Sequence, residues 1–322
     1  MAVSVIYLLG TSFCGSTFLS AVLSAHPNVE NAGQLNTLFL HQKVPDRRIC
    51  SCGIALVDCP FWNAVWKRWY IVEGNGIEDE YRRLILQYER LRAIPRLLSK
   101  TISSQDTEFA AYKKRTLSLY RSISEVSGRD FVVDASKYPG RGLAVARMEE
   151  IDVYFVHLVR DGMAYVSSVL KHFGHRYKNE IFRLTLKACL EWALVNMASE
   201  YVVKESHRPA IMLRYEDFVA RPEESLQRLG AVLNLDLKHI GEHLVQGGEV
   251  SFRHTTGNAV RLQGPLPMRV DQSWRARLPS YAPLLFRISV GWHLVMAIAR
   301  RIYRKTSIHD VSSWSGLEIS LH

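Results

Sequence analysis

The stretch Val3-Ser4-Val5-Ile6-Tyr7-Leu8-Leu9 runs without a break into Gly10-Thr11-Ser12-Phe13-Cys14-Gly15-Ser16-Thr17, and Phe18, Leu19, Val22 and Leu23 follow at helical spacing. A short, nearly continuous apolar run is the pattern of a strand buried on both faces. A glycine loop between such a strand and a helix makes an anion cradle. Glycine lets the backbone approach phosphate oxygens, successive N–H groups turn inward, and the helix N-terminus adds a positive field. The Gly-x4-Gly spacing is that of a phosphate loop, except that Ser16 stands where the lysine would be. Without a lysine for the β- and γ-phosphates, the loop suits a single 5′-phosphate better than triphosphate cleavage. A glycine turn that holds no ligand is the alternative reading of the same residues.

Working outward, further short β-rich runs occur at Phe131–Val133, Val153–Val159 and Ile211–Leu213, each followed by helical periodicity. That alternation predicts an α/β protein: a P-loop-type parallel sheet with helices on both faces. Helices are expected over Thr17–Ala25, Arg141–Glu150, Gly162–Phe173, Asn179–Ser206 and Pro222–Leu233. The last opens on a proline suited to a first helical position. A long insertion, 41–127, separates the first two of these strands: a Cys- and Trp-rich stretch from His41 to Tyr70, then helical patterns over Asp79–Lys100 and Glu108–Val126. An insertion of that length beside the phosphate loop is a candidate acceptor lid within a single 1–322 domain. Within the tail, 282–322, the run from Leu284 to Arg304 is apolar but broken by Arg287 and His293, and it ends in a basic cluster of Arg300, Arg301, Arg304 and Lys305. It reads as a core helix or as a peripheral contact with an anionic membrane surface.

The 322 residues, 48% of them apolar, are enough for a substantial core. Val3–Leu9 is too short to span a membrane and lacks a basic start and a cleavage site, and the 5 cysteines are too scattered for a disulfide framework. A cytoplasmic protein is expected. The formal net charge of +10 calls for an anionic partner. Nucleic acid is not the expected one, because the Lys and Arg residues are spread through helical patterns without a basic arm or a zinc-finger spacing.

Val153–Val159 ends in Arg160-Asp161-Gly162, at the strand end where open α/β sheets bind ligands, and Ser168 lies two helical turns further on. Arg160 and Ser168 could share an anion there. A structural Arg160–Asp161 ion pair is the competing reading.

Together these segments resemble sulfotransferases that use 3′-phosphoadenosine 5′-phosphosulfate (PAPS) as donor, above all the bacterial, carbohydrate and tyrosylprotein branches. Gly15-Ser16-Thr17, with a helix ending in His26-Pro27, is similar to that family's 5′-phosphosulfate loop, and Arg160-Asp161-Gly162 with Ser168 is similar to its 3′-phosphate motif. Leu213-Arg214-Tyr215-Glu216-Asp217-Phe218 resembles the segment whose tyrosine lies near the adenine. His254-Thr255-Thr256-Gly257-Asn258-Ala259-Val260-Arg261 resembles the late loop over the 3′-phosphate.

The resemblance implies transfer of a sulfuryl group from PAPS to a hydroxyl or amine, leaving 3′-phosphoadenosine 5′-phosphate (PAP), with no metal required. Ser12, Phe13, Cys14, Gly15, Ser16, Thr17, Arg160, Ser168, Tyr215 and Arg261 would hold the donor. Lys137, in Asp134-Ala135-Ser136-Lys137-Tyr138-Pro139, would stabilise the sulfuryl oxygens and the leaving group. Two positions depart from the pattern. Phe13 stands where relatives carry Arg or Lys, and Gln34 stands where the tyrosylprotein branch has its base glutamate. Glutamine accepts no proton, so either Glu30, His41 or another group serves as base, or Gln34 orients an acceptor nucleophilic enough to react, or transfer is slow or absent.

Other functions stay open at this point: a P-loop kinase or NTPase using Asp134 at the end of Phe131-Val132-Val133 for magnesium, or a nucleotide-binding protein of the same fold without transfer. Cys50, Cys52 and Cys59 with His41 read as a metal site of poor spacing, a redox pair or plain packing. Trp62, Trp66 and Trp69 have the spacing of one helix face and read as core or as a stacking platform. His172 and His175 read as solvated helix-end residues or as ligands. Cys14 reads as a small residue fitting the loop or as an activated thiolate.

Overall fold

The computed structural model describes residues 3–40, 49–99, 102, 106–268 and 273–291. Its centre is β1 (Ser4–Leu9), whose side chains alternate between two cores. Val5, Tyr7 and Leu9 enter one cluster, and Ile6 and Leu8 enter the other. All are fully buried. Side chains that alternate along a strand need a helical layer on each face.

After α1 (Ser16–Ser24) comes β2 (Val29–Gly33), then the short α2 (Leu35–Leu40). The insertion supplies α3 (Pro60–Glu73), α4 (Glu78–Tyr88), the single-turn α5 (Ile94–Leu97) and the long α6 (Thr107–Ser127). Then follow β3 (Phe131–Lys137), α7 (Pro139–Ala146), β4 (Asp152–Val159), α8 (Gly162–Phe173), α9 (Ile181–Ser206) and β5 (Ala210–Arg214). The described chain continues through α10 (Tyr215–Ala220), α11 (Pro222–Leu233), α12 (Lys238–Val245), a two-stranded ribbon of β6 (Glu249–Val250) and β7 (Leu266–Pro267), and a helical stretch at 282–291. The main sheet has 5 strands in the order β2-β3-β1-β4-β5, and every pairing in it is parallel.

The four expected strands are all present, and β2 is an addition. It is wholly buried yet carries Glu30, Asn31 and Gly33, so neither an apolar run nor an alternation marks it. The helices over Gly162–Phe173 and Pro222–Leu233 have the expected bounds. The helical patterns over Asp79–Lys100 form two α-helices, one ending at Tyr88 and one starting at Ile94, with Pro95 in the first turn of the second. Proline has no N–H to give and disfavours a helical residue before it.

The insertion belongs to the core. Trp62, Trp69, Tyr81, Tyr88, Phe109, Tyr112 and Tyr120 join the same cluster as Val5, Tyr7 and Leu9. Trp62 and Trp69 are fully buried and Trp66 packs against them, so the tryptophans are core rather than a platform. Their indole N–H groups donate to His254 O at 2.7 Å and Arg115 O at 3.0 Å.

A buried polar network pins this layer to the sheet. Asp134 on β3 accepts from Arg141 Nε at 2.8 Å and from Tyr120 Oη at 2.6 Å. Arg141 also pairs with Glu89, whose other donor is Tyr112 Oη at 2.9 Å. Burial pushes Glu89 up to about 7, although Arg141 and Tyr112 oppose the rise. With its carboxylate enclosed, Asp134 is not a magnesium ligand, which removes the support for the kinase reading.

Among the described residues no helix is long and apolar enough to cross a membrane. Of the tail, His293, Arg300, Arg301, Arg304 and Lys305 lie outside the described residues, as does His41. Replacing one partner of a buried ion pair strands the other charge. Arg141→Ala is therefore expected to lower unfolding free energy by about 3–5 kcal/mol in urea titrations, whereas the exposed Arg183→Ala, which removes a surface pair to Glu180, changes it by less than about 1 kcal/mol.

Candidate functional site

Parallel register brings the sequence motifs to one edge of the sheet. Leu9 lies opposite Lys137 on one side and His157 on the other, Val159 lies opposite Arg214, and Gly33 lies opposite Asp134. The residues after these strand ends are the phosphate loop, Arg160, Tyr215 and Gln34, with Lys137 closing its own strand. This carboxyl edge is where open α/β sheets bind ligands.

Within the loop, Phe13 and Gly15 have positive φ, 57° and 94°. A Cβ on Gly15 would stand 2.4 Å from the Tyr215 ring, so the residue must be glycine for the ring to close on the loop. No side chain caps α1, which leaves its first-turn N–H groups without intrahelical partners. Thr11 Oγ1 is buried in the loop with no partner among the described residues.

Arg160 reaches the loop directly. Its Nη1 donates to Phe13 O at 2.8 Å and lies 3.4 Å from Ser168 Oγ, and its guanidinium sits 5.3 Å from the centre of the Tyr215 ring. Trp192 Nε1 holds the Arg160 carbonyl at 2.9 Å. Asp161 is not its partner: that carboxylate accepts from Met163 N and Ala164 N at 2.9 Å and caps α8. Capping residues of this type satisfy helix N–H groups that would otherwise be orphaned.

A cavity of about 580 Å³ opens here, lined by Phe13, Arg160, Ser168, Lys171, His172, His175, Arg176, Tyr215 and Arg277. Among the described residues its lining carries cations and imidazoles and no carboxylate. Phe13, Arg160, Ser168 and Tyr215 were expected from sequence. Lys171, Arg176 and Arg277 were not assigned a role, since as isolated basic residues they look like any solvated charge. His172 and His175 join them on the wall.

Phe13 does not point a charge at a ligand. Its ring packs 5.6 Å from His172 and 6.5 Å from both Tyr165 and Phe173, which ties the loop to α8. Cys14 is fully buried, and burial pushes its thiol up, with the positive charges of Lys137 and Arg160 only partly opposing this. It is a small loop residue and not an activated thiolate. Ser16 is buried at the first position of α1, while Thr17 is half-buried and Ser12 exposed at the loop tip. Lys137 has φ 71°, and its Nζ donates to Ala135 O at 3.2 Å.

Two of the residues considered from sequence are placed away from this cavity. Arg261 does not line the cavity. It is buried, and its guanidinium donates to the carbonyls of Thr255, Gly257, Asn258 and Ile49, so it braces its own loop. Glu30 does not serve the site as base. It is buried in an ion pair with Arg129, and it pairs with Val132, itself level with Val5. That is four strand positions before Leu9, or about 13 Å from the carboxyl edge.

Gln34 follows β2 on that edge. The loop carrying Thr255 and Thr256 folds onto it: Thr255 Oγ1 donates to Asn31 O at 3.2 Å, Thr256 Oγ1 to Ala32 O at 2.7 Å, and Gly33 bridges to Thr256. A Cβ on Gly33 would stand 2.1 Å from Thr256 O, and the Gln34 side chain lies against Gly257.

No family model matches the chain, and no curated protein does. Among solved structures it is similar to the sulfotransferase domain of the olefin synthase from Synechococcus PCC 7002, at 15% identity, with 91% of this chain and 95% of that chain covered and a TM-score of 0.43. It is similar to the sulfotransferase domain from the curacin biosynthetic pathway, at 14% identity over 88% and 96% of the two chains, TM-score 0.46. It is also similar to a sulfotransferase from Alicyclobacillus acidocaldarius, at 14% identity over 90% and 97%, TM-score 0.40. The chain is thus similar in structure to sulfotransferases at low identity, and the assignment of an activity rests on its own residues.

Proposed function

We propose that this chain is a sulfotransferase that binds PAPS at the carboxyl edge of its sheet and transfers the sulfuryl group to a hydroxyl or amine. One observation carries the reading: Phe13, Arg160, Ser168 and Tyr215, from three separate sequence segments, line a single cavity whose other walls are basic. A nucleotide with phosphates at two positions needs such a pair of anion sites, a loop for one and an Arg–Ser pair for the other.

The residues fit the donor. The uncapped start of α1 and the orphaned Thr11 hydroxyl belong to the 5′ side, Arg160 and Ser168 to the 3′-phosphate, and the Tyr215 ring to the adenine. Lys171, Arg176 and Arg277 supply positive charge around that pocket, which offsets the absence of a cation at position 13. When bound, the donor supplies an activated sulfuryl group on a phosphate leaving group.

Lys137 then acts on charge: held at the end of β3, its ammonium neutralises oxygens where negative charge grows in the transition state. Gln34 donates or accepts hydrogen bonds to position the acceptor but removes no proton. Transfer should therefore favour acceptors already nucleophilic at neutral pH.

Calorimetric titration with PAP is expected to show binding that is indifferent to magnesium and about 10- to 100-fold weaker in Arg160→Ala, the loss of a charge-assisted hydrogen bond. No PAP binding, or a preference for magnesium ATP, would overturn the assignment. Lys137→Met is expected to lower turnover of PAPS by about 10²- to 10³-fold while leaving PAP affinity within a few-fold, measured as PAP release over a panel of carbohydrate, phenol, amine and tyrosine-peptide acceptors. Gln34 also favours a second reading, a PAP-binding protein without transfer. Tight PAP binding with no release from PAPS on any acceptor would select it.

A further inference from the structure

Cys50, Cys52 and Cys59 come together in space with His254, far along the chain. One ligand atom from each lies within 4.8 Å of all the others. Cys52 Sγ is 3.6 Å from Cys59 Sγ, and Cys59 Sγ is 3.8 Å from His254 Nδ1. Bond lengths of about 2.3 Å to sulfur and 2.0–2.1 Å to nitrogen give a tetrahedron with edges of about 3.6–3.8 Å. The Cys52–Cys59 and Cys59–His254 separations match such edges, and the remaining pairs lie within 4.8 Å. We propose that Cys50, Cys52, Cys59 and His254 form a closed Cys3His site for one zinc ion, which ties the start of the insertion to the loop over Gln34.

The single-residue gap between Cys50 and Cys52, a poor fit to usual zinc spacings, is resolved by the local backbone. Ile49 and Ala55 form an antiparallel bridge, Cys50 N donates to Ile54 O at 2.8 Å, and Gly53 N donates back to Cys50 O at 2.9 Å. This tight knuckle turns on Gly53 and presents both thiols to one point. Cys59 enters as the residue before α3, whose first position is Pro60.

His254 is oriented without the metal. Its ring stacks on Phe61 at 4.6 Å with an 8° interplanar angle, and its carbonyl accepts from Trp62 Nε1 at 2.7 Å. Ser51 stitches the two segments together: its N donates to Thr255 O at 3.1 Å, its Oγ donates to Arg253 O at 2.5 Å and accepts from Thr255 N at 2.9 Å. Outer contacts of this kind aim ligands and are part of a metal site's affinity. Zinc with three thiolates and a neutral imidazole carries net charge −1, and Arg129 and Arg253 place positive field at His254. A disulfide is the competing chemistry. A Cys52–Cys59 bond would leave Cys50 and His254 with no reason to converge.

With four protein ligands the ion has no open position, so its role is structural. It would fix the wall formed by Thr255, Thr256 and Gly257 against β2. This assignment does not depend on the donor being PAPS.

The test uses tag-free, full-length protein made in zinc-supplemented medium and kept reduced. Elemental analysis is expected to find one zinc per chain, retained in Cys189→Ala and lost in Cys52→Ser, whose side chain is exposed, and in His254→Ala, each still folded by circular dichroism. Cobalt exchanged into the protein should show sulfur-to-metal charge transfer and tetrahedral ligand-field bands. His254→Cys, which keeps four donors, should retain the metal with altered bands, and this separates lost ligation from lost fold. Folded, reduced protein that takes up neither zinc nor cobalt would overturn the proposal, as would full zinc content in both ligand-deleted variants or a Cys52–Cys59 disulfide found by peptide mapping of the native protein.

Discussion

Parallel pairing of β1 with β3 and β4 is the constraint on which the rest depends. Side chains of β1 alternate between two cores, so a one-residue slip would send Ile6 and Leu8 to the wrong layer along with Val5, Tyr7 and Leu9. Register is thereby locked by burial on both faces. Because the strands are parallel, locking register also aligns their carboxyl ends, and the glycine loop after β1, Lys137, Arg160, Tyr215 and Gln34 come to one edge of the sheet although the chain separates them widely. Core packing and site assembly are the same event.

The insertion extends that event to the helical layer. Asp134 belongs to the sheet, Arg141 to α7, Tyr120 to α6, and Glu89 follows α4, and they close one buried network. A buried network of charge-assisted contacts favours one arrangement, and here Glu89 Oε2 is the buried oxygen it leaves without a partner among the described residues. The helices of the insertion are therefore held in register with β3 by polar contacts as well as by their aromatic face, and β3 is the strand that ends in Lys137.

How far the sequence disclosed this depends on the kind of signal. Strands with continuous apolar runs, and helices opening on Gly162 or Pro222, were legible because local composition and tertiary role agree. β2 was not, since Glu30 and Asn31 are buried polar residues whose partners, Arg129 and Ser20, lie elsewhere in the chain. The site divided likewise. The loop, Arg160 and Ser168 carry short-range patterns, whereas Lys171, Arg176 and Arg277 have meaning only through the cavity they share. Arg261 carries no short-range signal of its own, because a loop arginine looks the same in sequence whether it meets a phosphate or backbone carbonyls. His254 was read as part of the late loop, and nothing local connects it with cysteines two hundred residues earlier.

Phe13 packs on the same helix that carries Ser168, Lys171 and His172. Phe13 thus seats the loop by apolar contacts, while Arg160 both holds the Phe13 carbonyl and faces the cavity. An arginine at this point would serve both purposes at once, and any change to it would disturb both. Here the anchor is apolar, and Lys171 in the last turn of α8 with His175 and Arg176 in the turn after it add charge to the cavity wall, so exchanging those three leaves the apolar seat of the loop in place. The charge of the cavity wall and the apolar seat of the loop can therefore vary separately at these positions, with Arg160 as the residue that couples the two.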